Sequence, residues 1–170
     1  MHPAIRLELM PSANFAPPRD TVLRIMGRAD VPELIRHLSG LEPEARQDRF
    51  NGHISAELIE AYVKRSIKPG VLVIAAEHDG RVVGMTELHP LGEGTAETAF
   101  SVSADFRQQG VGSALFALIL EAAVGRGLRE LTITTHAGNE AMRRLARRFG
   151  AELSFDHGDS HGRILLPKRK

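Results

Sequence analysis

The stretch that most restricts what this chain can become runs from Thr95 to Thr135. There an extended segment, a turn holding two glycines, an amphipathic helix and a second extended segment follow in order. A strand–helix–strand unit of this kind places its two strands parallel in one sheet. The turn between strand and helix, Asp105-Phe106-Arg107-Gln108-Gln109-Gly110-Val111-Gly112-Ser113, is the informative part. The first turn of a helix carries unpaired N–H groups and a partial positive charge. Glycines at that point let an anion approach the backbone, so the pattern predicts a diphosphate site. Packing alone is a poor account of the pair, because a glycine in a helix interior costs about 1 kcal/mol. Two familiar phosphate loops are excluded by spacing. Gly112-Ser113-Ala114 stands where a Walker A loop needs Gly-Lys-Ser/Thr. Leu115 stands where the dinucleotide fingerprint needs its third glycine.

Around this unit the chain reads as one mixed α/β domain over 21–170, preceded by a mobile arm over 1–20 that contains Pro3, Pro11, Pro17 and Pro18. Thr21–Arg28 alternates as a strand. Asp30 and Pro32 open a helix with Leu34, Ile35 and Leu38 inward. Pro43–Phe50 is a second helical piece. Ser55 starts a third, with Leu58, Ile59, Tyr62 and Val63 on one face, and Pro69-Gly70 ends it. Val71–Glu77 and Arg81–Leu88 form a hairpin about Asp79-Gly80. Gly92-Glu93-Gly94 turns the chain into a strand from Thr95 to Ser103. The helix that follows, Gly110–Arg126, buries Val111, Leu115, Leu118, Ile119 and Ala122. A strand at Glu130–Thr135, a helix at Asn139–Phe149 and two closing strands complete the order.

Composition removes several classes of function. The 170 residues contain no Cys, which rules out disulfides, zinc thiolates and a Cys nucleophile and agrees with a cytoplasmic protein. A formal net charge of +1 gives no electrostatic case for nucleic acid. No apolar run approaches a membrane span, and Met1-His2-Pro3-Ala4 lacks the regions of a signal peptide. The histidines form no ligand spacing, so no metal is expected. Arg143, Arg144, Arg147 and Arg148 read first as a solvated helix face; contact with a phosphate is the sharper alternative.

Arg107-x-x-Gly110-x-Gly112 resembles the Q/R-x-x-G-x-G/A motif of the GNAT acetyltransferases. Asn139, Met142, Leu145 and Phe149-Gly150-Ala151 resemble that family's second block. The resemblance implies a mixed sheet of about six to seven strands with helices on both faces, and acetyl-CoA as co-substrate. It implies that Gln108, Gln109, Gly110, Val111, Gly112 and Ser113, with Arg107, face the diphosphate through their backbone amides. Phe100, Ser101 and Val102 then lie along the pantetheine, and the Val102 N–H sits near the thioester carbonyl as an oxyanion-type donor. Asn139 touches pantetheine, caps its helix, or does both.

Transfer to an amine calls for a base, since a lysine with a pKa near 10.4 is neutral in only about one molecule in two thousand at pH 7. Glu97, on the strand that leads to Val102, is the candidate; Glu87 and His89 on the preceding strand are the alternatives. Ala96-Glu97-Thr98-Ala99-Phe100-Ser101-Val102 resembles the segment of the bacterial Pat-type protein-lysine acetyltransferases in which the glutamate is catalytic. The likeness implies a protein lysine as acceptor and leaves a homodimer open. Many GNAT enzymes carry a Tyr acid where this chain has Ala146, so no acid is assigned. A small-amine or N-terminal acetyltransferase, and a non-catalytic acyl-CoA-binding module, remain as alternatives.

Overall fold

A computed structural model describes residues 15–167. Seven strands form one sheet: β1 (Thr21–Ile25), β2 (Leu72–His78), β3 (Arg81–Gly92), β4 (Thr95–Val102), β5 (Glu130–His136), β6 (Glu152–Asp156) and β7 (Asp159–Leu165). Five helices accompany them: α1 (Val31–Ser39), α2 (Pro43–Phe50), α3 (Ala56–Ser66), α4 (Val111–Gly125) and α5 (Glu140–Arg148). The spatial order is β1-β2-β3-β4-β5-β7-β6. Every neighbouring pair is antiparallel except β4 and β5. That one parallel pair is the product of the α4 crossover expected from the sequence.

The alternation of a strand divides the core in two. Leu72, Ile74 and Ala76 of β2 turn to one face, where they join Val111, Leu115, Phe116 and Ile119 of α4 and Ala146 of α5. Val73 and Ala75 turn to the other, with Leu34 and Leu38 of α1 and Ile59 and Val63 of α3. Helices therefore cover both faces. Gly84 explains how closely α4 approaches: a Cβ there would lie 2.8 Å from Val111 Cγ1. A register shift in the β2–β3 ladder leaves Val83 without a paired residue opposite, and it turns Val83 to the α4 side.

Several local expectations change. The first strand ends at Ile25, three residues early. Asp30 sits at the start of α1 but makes no side-chain cap; its carboxylate instead accepts from the Gly27 N–H at 2.7 Å and from Arg24 at 2.8 Å. Leu58, expected inward, is 55% exposed. In α4, Phe116 joins the core, where it stacks between Phe100 and Phe149. Of the expected arm, residues 1–14 lie outside the described residues. Phe15 packs on Phe149 with ring centroids 5.0 Å apart, under the Arg148 guanidinium.

Candidate active site

β4 and β5 are paired for only three residues, Thr95 with Glu130, Ala96 with Leu131 and Glu97 with Thr132. Beyond that point they part. β4 stays bound to β3 as far as Val102, and β5 stays bound to β7 as far as His136. A wedge thus opens in the middle of the sheet at Glu97. The Ser103 N–H donates to the Val83 carbonyl, so odd-numbered residues on this part of β4 direct their backbone groups to β3. The even-numbered ones, Thr98, Phe100 and Val102, direct theirs into the wedge. The Val102 carbonyl confirms the direction, since it accepts from Arg107 Nε at 3.3 Å on that side.

At the wide end of the wedge lies the N-terminus of α4. Its first intrahelical bond runs from the Ala114 N–H to the Gly110 carbonyl at 2.9 Å. The N–H groups of Val111, Gly112 and Ser113 precede that bond and have no partner within the helix. Gly110 is left-handed, with φ of 87°, and a Cβ there would meet the Ala16 carbonyl at 2.8 Å. Two separate constraints therefore demand glycine at 110. At 112 a Cβ would sit 3.3 Å from Leu145, so Gly112 also serves the packing of α4 on α5.

Wedge and helix terminus open into one cavity of about 580 Å³. Phe100, Ser101 and Val102 form its strand wall. Arg107, Gln108, Gly110, Gly112 and Ser113 form its turn, and Asn139 faces them from the far side. Leu41, Ala45 and Asp48 close it from the α2 side. Glu97, Gln109 and Val111 do not line it. The Gln109 side chain donates to the Asp105 carbonyl, and the Val111 side chain is wholly buried in the core, so only its backbone is available. Asn139 is committed at both ends: Oδ1 accepts from the Met142 N–H at 3.0 Å and Nδ2 donates to Thr135 Oγ1 at 3.1 Å. Its capping role is thus present in the structure. Arg107 ion-pairs with Glu42 at 3.1 Å. Arg144 and Arg148, expected on a solvated face, both line the cavity, and Arg148 reaches Ser113 Oγ at 3.4 Å.

Glu97, Ala99 and Ser101 project to the face covered by α1, α2 and α3. There Glu97 stands opposite His89, and Ala99 opposite Glu87. Glu87 is 1% exposed and ion-pairs with Arg49, itself 7% exposed; it also accepts from the Tyr62 hydroxyl at 2.5 Å. Burial pushes the Glu87 carboxyl up, but the Arg49 charge and the His89 and Tyr62 hydrogen bonds outweigh it and hold the group below the usual carboxylate range. All of these contacts fall on Oε2, and an ionised carboxylate held low by a buried guanidinium is a weak proton acceptor. The Glu97 side chain makes no hydrogen bond or ion pair among the described residues, although its charge is felt by Arg49. Asp48 of α2 is raised by burial and by Glu44, against the pull of His136 and Arg107.

Sequence reasoning missed His37. It lies on α1, 6% exposed, with Nε2 2.8 Å from Ser101 Oγ. Burial carries its pKa from 6.5 down to about 4, helped by the Arg49 charge and opposed by a hydrogen bond to the Val82 carbonyl. The folded value lies below the unfolded one, so the unfolded chain takes up the proton first. The contribution of neutral His37 is complete above about pH 6.5 and is lost as the pH falls toward 4; about 2.5 pKa units amount to about 3 kcal/mol. In urea titrations from pH 7 to pH 4, the stability gap between the wild type and His37→Gln should narrow by that amount. Parallel curves would show that burial does not depress this imidazole.

The sheet is thus split between its two parallel strands, with a glycine-opened helix terminus at the split. The chain belongs to the acetyltransferase (GNAT) family, whose model matches residues 33–151. Among solved structures it is similar to the GNAT domain of S. lividans PAT, with 23% identity over 86% of this chain and 90% of that one and a TM-score of 0.76. It is also similar to a ribosomal-protein-alanine N-acetyltransferase from Brucella melitensis, with 23% identity over 85% and 99% and a TM-score of 0.68. A phosphinothricin acetyltransferase from Sinorhizobium meliloti in complex with AcCoA shares 17% identity over 86% and 89%, with a TM-score of 0.68. At these identities the likeness establishes the fold; two of the three proteins are named for an acceptor, and the two acceptors differ.

Proposed function

We propose that the chain transfers an acetyl group from acetyl-CoA directly to an amine, with a protein lysine as acceptor and Glu97 as general base. The observation that carries this reading is the wedge. Its strand edge offers the Phe100 and Val102 amides to a pantetheine chain, and its wide end offers the unpaired N–H groups of α4 to a diphosphate. Arg144 and Arg148, on the same cavity wall, supply positive charge for further phosphate.

The amine enters from the face that carries Glu97. Its nitrogen attacks the thioester carbonyl carbon, the developing oxyanion takes the Val102 N–H, and Glu97 removes the proton from nitrogen. The carbon–sulfur bond then breaks. A thiol with a pKa near 8.5 leaves without a dedicated acid, which suits the buried Ala146. The lysine assignment is supported by the resemblance of the segment Ala96–Val102 to that of the Pat-type enzymes.

The reading is tested by following CoA release with three acceptors at equal concentration: a lysine peptide blocked at its N-terminus, a lysine-free peptide with a free N-terminus, and a small amine. Turnover with the first alone is expected. Turnover confined to either of the others would overturn the lysine assignment, and no release with any acceptor would overturn transfer to amines.

A further inference from the structure

Ser101 belongs to two environments at once. It lines the cavity wall between Phe100 and Val102, and its hydroxyl points to the α1 face, where it meets His37 at 2.8 Å. Ser103 Oγ lies 3.4 Å from the other ring nitrogen, Nδ1. The Ser101 hydroxyl and the His37 imidazole satisfy each other in the interior, and turning either side chain away would orphan a buried polar group. Leu41, 4% exposed, also lines the cavity.

The Val102 N–H faces the wedge, and Ser101, its neighbour on β4, lines the same cavity as Leu41. We propose that Ser101, backed by His37 and flanked by Leu41, is the floor of the acyl subsite and restricts the donor to a two-carbon acyl group. The inference rests on the cofactor site proposed above. The floor is rigid because its hydrogen bonds leave it no other arrangement, and a packed interior does not yield to an added methylene without strain.

The test compares CoA, acetyl-CoA and butyryl-CoA, by calorimetry for affinity and by turnover for selectivity. Wild type should prefer acetyl-CoA to butyryl-CoA by roughly a hundredfold in kcat/KM, about tenfold or more for each methylene. Ser101→Gly removes the hydroxymethyl group and should reduce that preference roughly tenfold. Ser101→Val pushes extra methyl volume into the subsite, and should weaken acetyl-CoA roughly tenfold relative to CoA itself. His37→Ala removes the support behind the floor and should act in the direction of Ser101→Gly. A wild type that turns over butyryl-CoA as fast as acetyl-CoA overturns the proposal without any variant. So do Ser101 variants that bind CoA normally and leave both ratios unchanged. Failure of the wild type to bind CoA at all would instead remove the cofactor site beneath it.

Discussion

Gly112→Asp is expected to abolish acetyl-CoA binding, and Gly112→Ala to weaken it far less. Position 112 lies in the first turn of α4 and on the cavity wall. A carboxylate placed there would face the proposed diphosphate site at close range. Two unit charges 4 Å apart at an effective dielectric near 20 repel by about 4 kcal/mol, which corresponds to roughly a thousandfold in affinity. The alanine variant isolates the packing cost, because its Cβ meets Leu145 at 3.3 Å and carries no charge. Calorimetric titration of both variants, with thermal unfolding as a check on folding, reads the difference. Equal losses for Ala and Asp would mean that Gly112 serves only the contact between α4 and α5.

Glu97→Gln is expected to leave acetyl-CoA affinity intact and to lower kcat by about a hundredfold to ten-thousandfold, the range of a lost general base. The amide keeps the shape of the side chain and can no longer take a proton. Glu97 is the candidate because its rival is occupied: Glu87 is locked to Arg49 and Tyr62 in the core. Replacing Glu87 would leave a buried guanidinium without its partner, at a cost of about 3–5 kcal/mol in stability. Loss of activity in a Glu87 variant would therefore come with a lower Tm, and loss in Glu97→Gln would not. Unchanged turnover in Glu97→Gln dismisses it as the base.

The parts of this architecture that could be read from the sequence are those with local causes. Asp79 and Gly80 take φ of 48° and 73°, the left-handed pair that a two-residue hairpin needs. Gly110 occupies a left-handed position that opens α4, and Asn139 caps α5. The parallel β4–β5 pair follows from the crossover between them. What escaped the sequence depends on residues far apart in the chain. Nothing near Glu87 announces that Arg49, 38 positions away, will neutralise it. His37 and Ser101 are 64 positions apart and carry no shared periodicity. The insertion of β7 between β5 and β6 is a choice of sheet order that alternation within a strand does not encode. Leu58 fits the inward stripe of α3 by spacing, yet it lies on the exposed side because the core contacts of that helix run through Ile59 and Val63.

Amide NMR of the protein titrated with CoA tests the wedge itself. The account predicts that the N–H signals of Phe100 and Val102, and those of Gly110 to Ser113, shift together and saturate at one ligand per chain, while edge strand β1 stays unmoved. Saturable shifts that leave both the β4 edge and the α4 terminus untouched would contradict it.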